Sequence, residues 1–387
     1  MWNYIPFEQA VEICDNLRKP INSKERAARI EGIPTEALYP YYGATGQVGY
    51  INNYLTDGEY VLLGEDGAPF LNPLAKKAYM ISGKSWVNNH AHILRSKRDN
   101  KFLCYYLNYF NYKDYVSGTT RLKLTQAQMK QIKIPDISIE EQHRIVTRIE
   151  ELFSELDKGV ETLQTIKQQL AVYRQAVLKA AFEGINSTKY MVKDVCKDIK
   201  VGIVIKPSQY YTDAQQGIKA FRSANVKEFH INNSDWVYLS QAGHSINSRS
   251  VVHTDDILIV RSGYPGTSCV VTEQFDGCNA IDILIAVPNK EIVLPQFLCA
   301  YTNSPFGKAF VSEKKRGVAQ KHFNVSGYSK MMIPVPDLNK QREIVQEVES
   351  RLSVCDSIEQ TVDTALAQAE AMRQSILKKA FEGGFSE

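Results

Sequence analysis

The sequence predicts an α+β fold in which two mixed α/β domains alternate with two long helices that pair as an antiparallel coiled coil. The first reason is an internal repeat, because residues 142–184 align without a gap with residues 341–383. The second is that both segments place apolar residues at alternating spacings of three and four, the heptad pattern of coiled coils. The third is that the remaining stretches contain short strand-like segments and glycine-rich turns. A pseudo-two-fold internal repeat is therefore the predicted architecture.

The repeat sets the predicted domain boundaries. We predict a first domain over residues 1–136, a first helix within 137–184, a second domain over 185–337 and a second helix within 338–387. A helix of about 40 residues is about 60 Å long at about 1.5 Å per residue. Because the first helix carries the chain away from the first domain, the second helix can return only by running antiparallel to it. We therefore expect an approximate two-fold axis between the domains.

The heptad positions define a predicted seam on each helix, interrupted by Gly159 in the first and Arg351 in the second. An alternative interpretation is that each helix lies on a separate globular core. A heptad pattern sustained over about six turns fits another helix better than a curved domain surface. The predicted seam residues are Ile145, Ile149, Leu152, Leu156, Leu163, Ile166, Leu170, Tyr173 and Val177 in the first helix, and Ile344, Val348, Ile358, Val362, Met372 and Ile376 in the second.

Composition predicts a folded cytoplasmic chain. With 387 residues, 44% of them hydrophobic, the chain can build two domain cores in addition to the helices. Its seven cysteines include no Cys-x-x-Cys pair, so neither a disulfide framework nor a zinc ribbon is indicated, and reduced thiols are expected. No apolar run is long enough to span a membrane, and the first residues lack the basic start and apolar core of a signal peptide.

The formal net charge of +3 conceals an uneven distribution. Basic side chains exceed acidic ones in both predicted domains, whereas acidic side chains exceed basic ones in both helix segments. A moderate positive balance confined to the domains is compatible with phosphate binding. It is weak for a protein that must hold DNA alone, and a second, DNA-enclosing subunit would resolve this.

The two domains present the same features in the same order. A strand and turn at residues 57–67 has a counterpart at 255–266, and the apolar segment 102–104 has a counterpart at 297–299. Between these features the two sequences differ almost everywhere. The sequence therefore indicates a duplicated architecture whose exposed segments have diverged.

These features together resemble one family, the specificity (S) subunits of type I restriction-modification systems. Each repeated helix is entered through an Ile-Pro exit and the pattern Glu/Asn-x-Gln-x-x-Ile-Val, at residues 140–146 and 339–345, and each ends in Leu-Lys-x-Ala-Phe-Glu-Gly. Segments 41–50, 64–67 and 86–92 also resemble one common type of target-recognition domain. The resemblance covers essentially the whole chain.

The resemblance implies a non-catalytic subunit that reads a bipartite, asymmetric DNA target with a fixed spacer. It implies assembly with two modification subunits, which bind S-adenosylmethionine and methylate adenine, and with restriction subunits, which use ATP and Mg²⁺ to translocate and cut DNA. No cofactor is expected in this chain. The alternative is a two-headed coiled-coil scaffold that binds proteins only, but that function makes no use of the positive domains or of their divergence.

Catalytic interpretations of the sequence fail. Residues 83–85 resemble the end of a phosphate-binding loop, but the glycine that this motif requires is replaced by Ala78. No adenine methyltransferase motif of the Asn-Pro-Pro-Tyr type occurs. His90 and His92 would lie on one face of a strand, as a metal pair would, but no acidic or cysteine partner is near in sequence. We therefore predict a structural role for both histidines and no metal site.

The predicted DNA-binding residues are basic side chains on glycine-containing loops, together with polar and aromatic residues at turns. Lysine and arginine on such loops can follow phosphates, and arginine or glutamine can read base edges. Solvated surface charge is the alternative for any single residue. The predicted set is Tyr41, Tyr42, Lys84, Asn88, Asn89, Arg121, Lys123, Arg222, Asn225, Arg261, Tyr264, Lys314, Lys315, Arg316, Gln320 and Lys321.

Overall fold

The computed structural model describes residues 2–316 and 323–385, without the side chains of residues 314–316. The chain forms two compact units. Unit 1 comprises Met1–Gln164 with Val362–Glu387, and unit 2 comprises Thr165–Thr361. Each unit therefore contains one predicted domain and parts of both long helices. No helix among the described residues is long and apolar enough to cross a membrane.

The first half of the chain contains nine strands and ends in a long helix. The strands are β1 (Tyr4–Pro6), β2 (Val11–Ile13), β3 (Tyr39–Tyr42), β4 (Gln47–Ile51), β5 (Tyr60–Gly64), β6 (Ala78–Ile81), β7 (Trp86–Val87), β8 (Ala91–Ser96) and β9 (Lys133–Pro135). The helices are α1 (Phe7–Ala10), α2 (Ser23–Ile30), α3 (Asn100–Tyr109), α4 (Gln126–Met129) and α5 (Ile139–Phe182).

The described part of the second half has the same plan. The strands are β10 (Lys189–Met191), β11 (Cys196–Val201), β12 (Tyr211–Thr212), β13 (Ile218–Phe221), β14 (Val237–Leu239), β15 (Ile257–Val260), β16 (Ser268–Val270), β17 (Asn279–Ala280), β18 (Ile283–Pro288) and β19 (Met332–Pro334). The helices are α6 (Val192–Val195), α7 (Gln241–Ile246), α8 (Pro295–Asn303), α9 (Pro305–Arg316), α10 (Val325–Ser329) and α11 (Leu338–Phe381).

The sheets show the duplication directly. Unit 1 has an antiparallel sheet in the order β2-β8-β5-β6, and unit 2 has one in the order β11-β18-β15-β16. In each unit the first strand pairs with the strand that precedes a long helix, β1 with β9 and β10 with β19. A smaller sheet in each unit contains one parallel pair, β3 with β7 and β13 with β17. The two units therefore share one topology.

The central strand of each larger sheet is apolar throughout because it faces a core on both sides. In β5, Val61 and Leu63 belong to one buried cluster and Leu62 belongs to another. In β15, Ile257 packs with α8 and the long helices, whereas Leu258 packs against the smaller sheet. Successive side chains of a strand point to opposite faces, so a strand covered on both faces shows no polar alternation.

The long helices pack antiparallel inside each unit. In unit 1 the first turns of α5, at Ile145 and Ile149, share a core with Phe381 near the end of α11. In unit 2 the end of α5, at Phe182, shares a core with Ile344 and the first turns of α11. Each long helix has 44 residues, and both lie inside the predicted segments.

Burial along the long helices corrects half of the predicted seam. One predicted column is buried or half-buried, namely Ile149, Leu156, Leu163, Leu170 and Val177 on α5 and Val348, Val362 and Ile376 on α11. In the other column Ile145 and Ile344 are buried and Leu152 and Ile166 are half-buried, but Tyr173, Ile358 and Met372 are 48%, 40% and 53% exposed. These last three are not seam residues. On α11 the buried column starts one residue later than predicted, at Leu352 rather than Arg351.

The prediction missed part of the buried column because some of its positions carry charged residues whose side chains have partners. Arg174 lies 2.6 Å from Asp356 and 2.9 Å from Glu359. The guanidinium of Arg373 lies 5.1 Å from the ring centroid of Phe153. Charged side chains can occupy such half-buried positions when they are paired and their aliphatic stems cover apolar surface. A prediction from hydrophobic residues alone therefore chose the neighbouring, partly exposed column as the seam.

Candidate nucleic-acid interface

Four loops of unit 1 contact one another at one end of its larger sheet. They are residues 42–46, 65–67, 88–90 and 117–123, which we call loop cluster 1. The backbone N–H of Asn88 donates to the carbonyl of Tyr42 at 3.1 Å, and that of Glu65 donates to the carbonyl of His90 at 2.8 Å. Gly67 donates to the carbonyl of Leu122 at 3.1 Å. Because backbone groups join the loops, the cluster presents its side chains from a fixed frame.

Unit 2 builds the corresponding end in the same way. Loop cluster 2 consists of residues 222–225, 261–266 and 281–282. The N–H of Ile281 donates to the carbonyl of Phe221 at 2.8 Å, which matches the bond from Asn88 to Tyr42. Residues 317–322, which correspond in sequence to the fourth loop of cluster 1, lie outside the described residues.

The two clusters share a frame but differ in chemistry. In unit 1, Leu124 donates its N–H to the carbonyl of Glu65 at 2.7 Å, and in unit 2 Phe323 donates to the carbonyl of Arg261 at 3.1 Å. A carboxylate in one unit therefore stands where a guanidinium stands in the other. The arrangement suits two ligands that have the same overall shape and different functional groups.

The basic side chains of loop cluster 1 are exposed and paired with carboxylates. Arg121 lies 2.9 Å from Asp66, and Lys123 lies 3.1 Å from Glu65. Their side chains are 60% and 49% exposed. His90 also lies 2.6 Å from Asp66. Exposed ion pairs contribute roughly 0–1 kcal/mol, so either cation can leave its carboxylate for a phosphate at small cost.

A buried hydrogen-bonded pair of side chains, His92 and Asp15, supports this cluster from the interior. His92 is fully buried, with Nδ1 2.8 Å from a carboxylate oxygen of Asp15 and Nε2 3.0 Å from the carbonyl of Leu124. Both ring nitrogens therefore lie within hydrogen-bonding distance of an oxygen. Burial would raise the pKa of Asp15, but the bonds from His92 and from the N–H of Ile93 outweigh it, and the pKa is lowered. The pair fixes the end of the fourth loop.

Both histidines have acidic partners in the fold, although none is near in sequence. His90 pairs with Asp66 and His92 pairs with Asp15, carboxylates that are distant in sequence and adjacent in the fold. Among the described residues, no group of three or more histidine, cysteine, aspartate or glutamate side chains is arranged to hold a metal ion.

Sequence reasoning missed two arginines on α2. The guanidinium of Arg26 lies 4.8 Å from the ring centroid of Tyr41, and that of Arg29 lies 5.5 Å from the ring of Trp86. The helix therefore places its basic side chains on the smaller sheet of unit 1, where aromatic rings hold both cations in place and Arg29 also pairs with Glu25 at 2.7 Å. The sequence signal that could have revealed these two arginines was the run of basic residues that precedes β3.

Loop cluster 2 holds two anchored arginines, Arg222 and Arg261, and one exposed aromatic ring. Arg261 donates through Nε to the carbonyl of Phe323 at 3.1 Å and forms an ion pair with Asp282. Tyr264 is 85% exposed. Its turn ends at Gly266, whose φ of +90° is a conformation that favours glycine. A ring held outward on a tight turn can stack on a base or pack in a groove.

Three predicted DNA-binding residues lie in the interior instead. Tyr41 is buried and donates its hydroxyl to the carbonyl of Ile21 at 3.3 Å. Asn88 is buried and accepts from the N–H of His90, and Asn225 is fully buried and accepts from the N–H of Arg222. Asparagine bonds readily to backbone groups at turns, so these two side chains stabilise the loops. These three residues therefore do not belong to the candidate interface.

The remaining predicted residues have varied positions. Lys84 is exposed, with Nζ 4.8 Å from the ring centroid of Tyr54, and Asn89 is exposed in loop cluster 1. Tyr42 is half-buried, and burial raises the pKa of its hydroxyl. Arg222 is half-buried and donates to the carbonyl of Asp235.

The structure describes only part of the predicted basic segment of unit 2, residues 314–321. Lys314, Lys315 and Arg316 lie in the last turn of α9, so they do not belong to a loop as predicted. The helix continues through these three charged residues. The glycine that follows them in the sequence had suggested a loop instead. Gln320 and Lys321 lie outside the described residues.

Comparison with known proteins identifies relatives over most of the chain. Residues 18–170 match the family described as Type I restriction modification DNA specificity domain. The Escherichia coli type I restriction enzyme EcoBI specificity subunit is 26% identical over 290 residues, which are 69% of this chain and 61% of that subunit. The putative type I restriction enzyme specificity subunit S.HindORF215P of Haemophilus influenzae is 28% identical over 380 residues, which are 94% of this chain and 91% of that protein.

Solved structures share the fold. A chain from a structural study of complex assembly and conformational transition of the type I R-M system aligns over 98% of this chain and 97% of its own length, with a TM-score of 0.70 and 17% identity. The HsdS subunit from Thermoanaerobacter tengcongensis aligns over 99% and 97%, with a TM-score of 0.50 and 16% identity. Residues 18–170 therefore match a domain of type I specificity subunits, and the chain is similar to such subunits over most of its length.

Proposed function

We propose that this chain is the DNA sequence-recognition subunit of a type I restriction-modification enzyme. Unit 1 reads one half of a bipartite target and unit 2 reads the other, with a fixed interval of unread bases between them. The observation that carries the proposal is the pair of loop clusters, which keep one backbone frame and differ in chemistry, as at Glu65 and Arg261. Two loop clusters with the same backbone arrangement and different side chains suit an asymmetric target.

The chemistry of the loops supports contact with DNA. Arg121 and Lys123 can bind phosphates, which position a protein on DNA without reading its sequence. Asn89 and Arg261 carry amide and guanidinium groups, which can pair with base edges in the major groove. Because the net positive charge of the chain is only +3, binding of this chain alone is expected to be weak.

The proposal assigns the chemistry to partner subunits in the cytoplasm. Two modification subunits bind S-adenosylmethionine and methylate adenine, and restriction subunits use ATP and Mg²⁺ to translocate and cut DNA. The absence of an Asn-Pro-Pro-Tyr-type motif from the sequence supports a non-catalytic role for this chain. Here the chain selects the site and the partners act on it.

Reconstitution tests this division of labour. The purified full chain, the modification subunit of its own system, and both together are incubated with genomic DNA and labelled S-adenosylmethionine. We expect no methyl transfer by this chain alone and methylation of adenine at one bipartite sequence by the mixture. Methyl transfer by the isolated chain, or methylation by the modification subunit that does not depend on this chain, would contradict the proposal.

A further inference from the structure

Unit 2 contains an apolar cavity of about 480 Å³ beside the first half of α11. Buried side chains form its floor, including Cys299 and Ala300 on α8 and Val348 and Leu352 on α11. Its rim is exposed and polar. We call this cavity the unit 2 pocket. Its volume lies in the range of cavities that receive a ligand or a large side chain.

The repeat shows which side chains line the corresponding, smaller groove in unit 1. There a groove of about 360 Å³ is lined by Tyr105 on α3 and Phe153 on α5, whose rings meet edge to face at 5.8 Å. By sequence position, Tyr105 corresponds to Ala300, and Phe153 corresponds to Leu352. Unit 1 therefore supplies two aromatic rings from its own chain where unit 2 has a methyl group and a leucine.

The two places also differ in charge, because unit 2 lacks a cation that unit 1 has. In unit 1, Lys101 pairs with Glu150 at 2.7 Å. The corresponding residues in unit 2 are Gln296 and Glu349, so the carboxylate is kept and its cation is lost. Both residues line the unit 2 pocket. The pocket thus lacks both the ring and the positive charge that complete unit 1.

The rim of the unit 2 pocket is acidic. Its four carboxylates belong to Asp255, Glu273, Glu349 and Asp356, and no lysine or arginine of the described ranges lines it. Asp255 pairs with a lysine and Asp356 with an arginine outside the pocket. Among the described side chains, which exclude those of residues 314–316, no ion pair is found for Glu273 or Glu349. The apolar floor therefore lies beneath a rim with two carboxylates, Glu273 and Glu349, that have no ion-pair partner among the described side chains.

We propose that the unit 2 pocket receives an aromatic side chain flanked by lysine or arginine from the surface of a protein partner. This inference rests on the proposed function, under which that partner is the modification subunit. A buried aromatic anchor contributes a large part of the binding energy at many interfaces. The flanking cation takes the place beside Glu349 that Lys101 takes beside Glu150. The partner thus completes in unit 2 what the chain completes by itself in unit 1.

Ala300→Tyr tests the proposal by filling the pocket with the residue that unit 1 has at this position. Binding of the modification subunit to the full chain is measured by titration calorimetry at two salt concentrations. We expect the affinity to fall at least tenfold, because the added ring occupies the space of the partner's ring. Val354→Ala is the matched control, since Val354 is exposed on α11 outside the pocket, and it is expected to bind like the parent chain.

Glu349→Gln provides a second variant that leaves the core untouched. We expect a several-fold weaker complex and a shallower salt dependence, because one charge pair is lost. Parent-like binding by folded Ala300→Tyr, or by Glu349→Gln at low salt, overturns the inference and leaves the proposed function standing. Failure of the parent chain to bind the modification subunit overturns both. A homodimer or a bound small apolar molecule that Ala300→Tyr abolishes would assign the pocket to that occupant and overturn the inference.

Discussion

Arg121 and Lys123 are the residues whose contact with DNA is simplest to test. Each can exchange a carboxylate for a phosphate, so changing both to glutamine should weaken binding of the assembled enzyme to all DNA sequences. The plot of log affinity against log salt should become shallower by up to about 1.8, or about 0.9 per lost phosphate contact. Lys97→Gln is the control, because Lys97 lies beyond the opposite end of β8. An unchanged salt slope would assign both residues to the solvated surface.

Asp15 gives a prediction about pH. Its lowered pKa means that the charged form stabilises the fold at neutral pH, and that this contribution is lost as the pH falls through the folded pKa, below about 4. Asp15→Asn should therefore cost about 1–3 kcal/mol at pH 7. Thermal unfolding of both proteins is measured from pH 7 to pH 3, and the difference between them should shrink below pH 4. A difference that does not change with pH would contradict the stabilising role of the charged Asp15 carboxylate.

At the scale of elements, the fourth loop of cluster 1 depends on one glycine. Gly118 has a φ of +101°, and a Cβ atom there would lie 2.5 Å from the carbonyl oxygen of Arg121. Gly118→Ala should displace the loop and weaken DNA binding, while the unfolding temperature of unit 1 changes little because the loop is exposed. Gly159→Ala is the control, since nothing lies near a Cβ atom at that position. Parent-like DNA binding by Gly118→Ala would exclude this loop from the interface.

The end of α11 is an integral part of the core of unit 1. The ring of Phe381 lies 5.4 Å from the rings of Phe102, Tyr106 and Tyr109. Phe381→Ala should lower the free energy of unfolding of unit 1 by about 3–5 kcal/mol, as measured by denaturant titration. Met372→Ala on the same helix should cost less than about 0.5 kcal/mol, because Met372 is exposed. Equal costs would contradict the corrected seam.

The sequence predicted the long helices well because the repeat marks both ends of each, and both helices of 44 residues fall inside the predicted segments. Periodicity could not choose between neighbouring seam columns, since Glu359 and Arg373 are accommodated by partners distant in sequence. The same limit applies to the site. Turn composition suggested Asn88 and Asn225, but only the folded chain shows that their amides are used inside the loops.

On the scale of the whole molecule, the chain consists of two units that share one topology and differ in loop chemistry. Domains with separate cores can be exchanged without disturbing one another. Residues 1–136 contain all the loops of cluster 1 and none of cluster 2. The identity of one half of the target should therefore lie in this segment alone.

The most direct test of this account replaces residues 1–136 with the corresponding domain of another specificity subunit. The methylated sequences of a host that expresses this chimera with the modification subunit are compared with those of a host that expresses the parent chain. We predict that one half of the target changes to that of the donor, while the other half and the interval between them stay the same. A change in both halves, or an unchanged target with full methylation, would contradict the assignment of one half-site to each unit.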